Sequence, residues 1–374
     1  MGEADDLFTA AGGALEQGAL ETAERLYRQL LERQPAHAAA WRALAALLGD
    51  TDRPQAAAAA AAEAGRQEAL PLVEAAQAFL AQGLPAKALP LLQRVLLLDP
   101  GSERGLRLAA DAERASGGYE AALAHYRRLL ALRPANPLAR AGSALFAGEP
   151  PAPRTPGLVL PSCFLRWRDW LPAARRDEVF DYALAHAADM AEATVWQPDG
   201  YKAMAEVRRA AVLYEPAPIL EWFEPLLRDC LPEVCPWLGL PAFEAGRLEL
   251  QLTFHGDGGF YERHRDTGWP EAPAEETDSR RVSFVAYFAR QPRRFRGGEL
   301  MLYDTNPVTG RSTLDGTLVE PEDNSVVFFH SATLHAVRPI RLAGSDPGDG
   351  RITLNGWIHD ARGRAPDYKG LAGR

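Results

Sequence analysis

Three prolines, Pro35, Pro100 and Pro134, each close an apolar run, in RQLLERQP, QRVLLLDP and RRLLALRP, and each has a glycine seventeen residues earlier, at Gly18, Gly83 and Gly117. Pro100 and Pro134 lie 34 residues apart, and the interval from Pro35 to Pro100 fits two such units, one of them three residues short. Between these marks the first 148 residues are rich in Ala, Leu, Glu and Arg, with apolar positions at helical spacing. A unit of helix, glycine turn, second helix and closing proline cannot bury its apolar face alone. It must stack on its neighbours, which restricts this part of the chain to a short all-α solenoid.

The second helices carry a small-then-aromatic pattern, Ala23, Tyr27 and Leu30 in the first unit and Ala122, Tyr126 and Leu129 in the last, with Trp41 opening the second unit. On these residues the segment 1–148 resembles the tetratricopeptide repeat. The stretch from about 49 to 67 departs from it, because its run of alanines supplies helix propensity and no large apolar knob. The resemblance implies a concave groove. Two roles follow for it: recruitment of a peptide or protein partner, or service as a scaffold or dimerisation arm.

Residues 148–161, GEPPAPRTPGLVLP, hold five prolines, and the chain is read as an extended linker over 149–161. Residues 162–234 read as mixed helices. From about 246 the period changes to alternation, in RLELQLTF, RRVSFVAYFA, GGELMLYD, SVVFFHS and RITLNGWIHD, as expected of a β-sandwich or barrel with flanking helices. The expected organisation is therefore 1–148 repeats, 149–161 linker and 162–374 a sheet domain with its core at about 246–360.

Charge narrows the partners. The net charge is −9, of which residues 1–150 contribute −3 (15 Lys+Arg against 18 Asp+Glu), so neither part offers the basic face that phosphate backbones need. No apolar run approaches a membrane span, and the acidic start MGEADDLF does not read as a signal peptide. Three cysteines, Cys163, Cys230 and Cys235, suit buried thiols in a reducing compartment, and the expected location is the cytoplasm.

The sheet region contains two H-x-D triplets. In a strand, residues i and i+2 share a face, so H-x-D at a strand end delivers an imidazole and a carboxylate to one point. With a second imidazole from a distant strand they form a facial triad that leaves metal positions open, the donor set of non-haem iron(II) sites. His255-Gly-Asp257 sits among glycines and reads as a turn. His264-Arg-Asp266 ends an aromatic-led run and is the preferred pair. For the distal imidazole, His330, His335 and His359 compete. His335 continues an apolar strand and precedes a strand that carries a lone strong cation, Arg351, so it is preferred; His330 and His359 are expected to be supporting or surface residues.

Five segments in order, GGFYERHRD, RRVSFVAYF, FRGGELMLYD, HAVRPI and RITLNGW, make residues 246–360 resemble the prolyl-4-hydroxylase-like branch of the iron(II)/2-oxoglutarate oxygenases. That resemblance implies a double-stranded β-helix (jelly roll), with iron held by His264, Asp266 and His335. It implies that Arg351 binds the distal carboxylate of the 2-oxoglutarate dianion, with Tyr287 reaching the same carboxylate and Trp357 six residues beyond Arg351. It implies O2 as co-reactant, ascorbate as a candidate reductant, and hydroxylation of an unactivated C–H bond in a peptide or protein side chain, with proline the leading guess. A free amino acid or small metabolite is the alternative substrate. A non-catalytic repeat-based binding protein with a metal- or ligand-sensing β-domain is the alternative class. The carboxylate ligand Asp266 favours hydroxylation over halogenation.

Two departures accompany the resemblance. Phe254 stands where a tyrosine is expected ten residues before His264, which would remove one polar contact to the cosubstrate. The interval from His335 to Arg351 is lengthened by AGSDPGDG, an outward polar loop, which leaves Arg341 as the fallback for Arg351. Tyr261 is expected to be structural, and the acidic stretch 268–281 is a candidate lid.

Overall fold

The computed structural model describes residues 2–151, 157–197, 200–267, 279–306, 309–344 and 346–363. The chain divides into two compact units, Met1–Ala112 and Glu113–Arg374. The middle of the proline-rich linker, 152–156, lies outside the described residues.

The first unit is built from α1 (Glu3–Glu16), α2 (Leu20–Arg33), α3 (Ala38–Asp50), α4 (Pro54–Ala81), α5 (Pro85–Leu98) and most of α6 (Glu103–Arg114). Gly18 and Gly83 take φ of +71° and +69°, the left-handed conformation that reverses the chain between the helices of a pair. The small-then-aromatic pattern is buried as expected, with Ala23, Tyr27 and Leu30 in one core with Leu44 and Leu47.

The short interval has a physical explanation. Other units are separated by four-residue connections, 34–37 between α2 and α3 and 99–102 between α5 and α6. Where two helices and a connection are expected after α3, α4 runs through without a break for 28 residues. The alanine run supplies enough propensity that the helix continues through both Gly65 and Pro71. Gly65 lies inside this helix because a Cβ there would sit 2.1 Å from the carbonyl oxygen of Leu98.

The second unit opens with α7 (Tyr119–Leu132), the second helix of the last glycine-turned pair, joined to α6 through Gly117 at φ +80°, and α8 (Pro137–Ala147) follows the closing Pro134. The closing-proline device recurs in both units: the Trp41 indole N–H donates to the carbonyl of Pro35 (2.8 Å) and Arg140 donates to that of Pro134 (2.8 Å), each six residues on. Tyr119, Leu145 and Phe146 pack on a buried cluster of Phe164, Leu300, Val327 and Phe329. Arg114, wholly buried, donates from both terminal nitrogens to the carboxylate of Asp304 at 2.6 Å.

Strands follow: β1 (Phe164–Trp167), β2 (Ala191–Glu192), β3 (Thr194–Gln197), β4 (Gly200–Ala203), β5 (Arg208–Arg209), β6 (Ala211–Tyr214), β7 (Ala245–His255) and β8 (Phe260–His264). Then come β9 (Arg280–Phe288), β10 (Phe295–Gly297), β11 (Leu300–Thr305), β12 (Ser312–Val319), β13 (Ser325–His330), β14 (His335–Val337), β15 (Ile340–Leu342) and β16 (Arg351–Asp360). Two further helices, α9 (Ala173–Ala185) and α10 (Ala217–Leu238), are interleaved among them.

A seven-stranded antiparallel sheet in the order β1-β13-β9-β16-β7-β6-β2 faces a five-stranded one, β12-β11-β14-β8-β5, as a double-stranded β-helix. Alternation decides what each face meets. Leu250, Leu252, Phe284, Phe328 and Leu354 pack outward on Val179, Phe180, Ile219, Phe223 and Leu227 of α9 and α10. Each such side chain, fully buried, stabilises by roughly 1.5–3 kcal/mol. The intervening residues Gln251, Thr253, His255, Ser283 and Tyr287 take the inner face, which mixes polar groups with apolar ones such as Val327 and Phe329. Among the described residues no helix is long and apolar enough to cross a membrane.

Candidate metal and cosubstrate site

β8 and β14 pair so that His264 and His335 stand opposite one another. Asp266 lies just beyond β8, its amide donating to the carbonyl of Ser331 (3.0 Å) and its Oδ2 accepting from the Ser283 hydroxyl (2.6 Å). Donor atoms of His264, Asp266 and His335 all fall within 4.8 Å of one another. The Nε2 atoms of His264 and His335 each lie 3.4 Å from a different carboxylate oxygen of Asp266.

The ring orientations suit a cation. Nδ1 of His264 is 2.8 Å from the Glu262 carbonyl, and Nδ1 of His335 is 2.9 Å from that of Thr333. A carbonyl can only accept, so each Nδ1 carries the proton and each Nε2 presents its lone pair to the shared point. Burial pushes His335 down to about 4, so it is a neutral ligand near pH 7. Burial works against the charge of Asp266, but His335, His264 and Ser283 hold its carboxyl well below the usual range. Two neutral imidazoles and one ionised carboxylate are the donor set expected of iron(II).

Around this point the inner faces enclose a cavity whose wall includes Arg208, His255, Tyr261, Ser283, Val285, Phe329, Val337, Arg351, Asn355 and Trp357. Arg351 is 2% exposed, and among the described residues no carboxylate meets it. Its Nη1 lies 3.2 Å from Nδ1 of His255, its Nε has no partner, and its guanidinium sits 5.0 Å from the ring of Tyr287. The hydroxyl of Tyr287 is also buried, interacting with this guanidinium but meeting no acceptor at hydrogen-bond distance. A buried cation beside an unsatisfied hydroxyl is costly in the absence of an anion. A carboxylate accepting from both would remove that cost, so the residues present fit the distal end of 2-oxoglutarate. Gly298, at φ +73°, makes room: a Cβ there would stand 2.8 Å from Cδ of Arg351.

Several expectations change. Phe254 lies on the opposite face of β7, against the helices, so a tyrosine there would not reach the cavity. The inward position is 255, where His255 lines the cavity beside Arg351. His255 is thus not part of the glycine turn but the last residue of β7; only Asp257 is in the turn, accepting from the Leu342 amide (2.9 Å). Arg341 is exposed and does not serve as a fallback for the buried Arg351. His330 and His359 are buried, not on the surface: Nδ1 of His330 accepts from the Ala332 amide, and His359 pairs with Glu249 at 2.8 Å. Tyr261 stacks on His264 with ring centroids 3.5 Å apart, so it orients a ligand as well as packing. Most of the candidate lid, 268–278, lies outside the described residues.

Arg208, Ser283 and Asn355 join the site without having stood out in the sequence, and His255, read there as part of a turn, joins it as well. For His255 a signal existed, since Gln251, Thr253 and His255 alternate as the polar face of RLELQLTFH. Arg208 offered none, being one cation in a two-residue strand.

Residues 250–359 match the model of the 2OG-Fe(II) oxygenase superfamily. An uncharacterized PKHD-type hydroxylase from Synechocystis is 38% identical over 136 residues, 35% of this chain and 43% of that protein. The chain therefore spans less than half the length of this relative. Among solved structures, the sheet region is similar to a Pseudomonas putida prolyl-4-hydroxylase (22% identity, 53% of this chain and 93% of that one, TM-score 0.39). The helical region is similar to YrrB, a tetratricopeptide-repeat protein with an unusual peptide-binding site (17% identity, 38% and 75%, TM-score 0.21). With His255, His264, Asp266, His335 and Arg351 all inside the matched segment, residues 250–359 of this chain are a 2OG-Fe(II) oxygenase domain.

Proposed function

We propose that the chain is an Fe(II)- and 2-oxoglutarate-dependent dioxygenase that hydroxylates an unactivated C–H bond in a peptide or protein side chain, with proline the leading candidate. One observation carries this reading: three convergent metal donors share a cavity with a buried, carboxylate-free arginine.

In it, His264, Asp266 and His335 hold the iron, and Arg351 with Tyr287 holds the distal carboxylate of the cosubstrate. Iron(II) with 2-oxoglutarate and O2 supplies the oxidation, in which the C–H bond becomes C–OH and the cosubstrate leaves as succinate and CO2. The protein positions and excludes. Ser283 fixes the carboxylate of Asp266, and the carbonyls of Glu262 and Thr333 fix the two rings. Val285, Phe329 and Val337 give the cavity apolar wall, which strengthens the polar contacts inside it. Ascorbate would keep the iron reduced between turnovers.

The test is incubation of the full chain with a cell lysate, with and without 2-oxoglutarate, followed by mass spectrometry. A peptide-borne gain of about 16 Da that requires 2-oxoglutarate is the expected result, since one hydroxylation adds one oxygen. A gain found only on free amino acids would replace the peptide reading, and no gain beside intact succinate formation would remove it. Repeating the assay without residues 1–112 asks whether the helices recruit substrate; an unchanged product profile assigns them to scaffold.

A further inference from the structure

Arg208 is the second buried guanidinium of the cavity. It lies on β5, opposite Tyr261 of β8, and is 5% exposed. Nη2 donates to Oε1 of Gln251 (3.1 Å), Nη1 donates to the carbonyl of Thr194 (3.4 Å), and Nε has no partner. These acceptors are neutral, and among the described residues no carboxylate meets Arg208. Its guanidinium sits 4.9 Å from the ring of Tyr261, the ring stacked on His264.

Formal charge separates the two arginines. Iron(II) and Arg351 together balance Asp266 and a 2-oxoglutarate dianion, while both metal-binding imidazoles are neutral. None of these anions contacts Arg208, whose acceptors are neutral, and a buried cation without an anionic partner is disfavoured. Position separates them too: Arg351 is anchored at His255 and Arg208 at Gln251, four residues apart on one strand of the cavity wall, and Arg208 alone packs on Tyr261. The two cations are arranged for two different anions, and the second lies against Tyr261, the ring that stacks on His264, on the side of the cavity where the reacting carbon must come.

We propose that Arg208 receives a carboxylate of the substrate and so selects for it. The proposal rests on the dioxygenase reading above. The shared chemistry is a carboxylate near the oxidised carbon, carried either by a free amino acid or by an acidic residue next to the target in a peptide. A planar guanidinium with an unused N–H suits such a group better than any neutral acceptor.

The test is anaerobic calorimetry on the full chain loaded with Fe(II) and 2-oxoglutarate. Two matched probe pairs are titrated: N-acetylproline against N-acetylprolinamide, and acetyl-Pro-Glu-amide against acetyl-Pro-Gln-amide. One acid is expected to bind at least about tenfold tighter than its amide, and the pair that discriminates identifies the source of the carboxylate. In Arg208→Gln that preference should fall below about twofold, with 2-oxoglutarate affinity unchanged; Arg208→Lys, which keeps the charge, should retain part of it. Equal binding of acid and amide in both pairs by the native chain would overturn the proposal, and this needs no variant to fold. So would an Arg208→Gln chain that loses 2-oxoglutarate as severely as Arg351→Gln. Acid preference without any iron–cosubstrate absorption would break the dioxygenase reading while leaving Arg208 its role.

Discussion

The helical unit and the sheet unit bury different kinds of surface. Among the described residues of Met1–Ala112, the buried set is Ala, Leu, Val, Tyr and Gly, with Asp111 the one charged member. The inner face of the sheet unit buries Arg208, Arg351, His255, His335 and Asp266 around a cavity. In the first unit burial stabilises. In the second, burial of charge costs stability, which ion pairs such as Arg114–Asp304 offset in part and, on the proposed reading, bound iron and cosubstrate offset at the cavity. The contrast separates residues that hold the fold from residues that wait for a ligand.

The strongest way to break this contrast is to replace the arginine at its centre. Arg351→Met is expected to weaken 2-oxoglutarate binding on the order of hundredfold or more, as for loss of a buried charge partner, while the ligand-free melting temperature holds or rises. A chain destabilised by this change as much as by a core truncation would show that Arg351 supports the fold. The matching truncation is Leu92→Ala, at a fully buried position of the helical unit. It should cost about 2–5 kcal/mol in chemical denaturation and leave cosubstrate affinity unchanged.

Acid should act on the sheet unit through Glu249. Burial pushes its carboxyl up, but His359 and Arg280 outweigh that and hold it at about 2. A depressed folded value contributes stability that is complete above the ordinary glutamate range and is lost as pH falls from about 4.5 to about 2. Arg280 stacks on Trp357 at 3.7 Å and donates to the Asp266 carbonyl (3.1 Å), so tryptophan fluorescence near the cavity should change in that window. Glu249→Gln should remove the transition there. The smallest effect is expected at Gly65→Ala, where better helix propensity is opposed by a Cβ 2.1 Å from the Leu98 carbonyl. A net loss of about 1–3 kcal/mol is expected; a gain would mean that α4 and α5 separate easily.

Much of the architecture was legible because periodicity is written into composition. The glycine and proline spacing marks the helix pairs, and the alternation after residue 246 marks the strands. The continuous α4 was not, because a missing three-residue interval does not say whether a turn is short or absent. In the site, His264, Asp266, His335 and Arg351 stand out through spacing and strand position, and the structure brings them to one cavity. His255 was obscured by the glycines that follow it, although the strand runs to its end. Arg208 reaches the cavity only through the pairing of β5 with β8, which no local pattern encodes.

On the proposed reading His264, Asp266 and His335 hold iron(II) beside 2-oxoglutarate. Anaerobic addition of Fe(II) and 2-oxoglutarate to the full chain, followed by visible absorption, tests it most directly. A metal-to-ligand charge-transfer band is predicted in the native chain and none in His264→Ala or His335→Ala. Absence of the band in the native chain, or its persistence in either variant, would contradict the assignment.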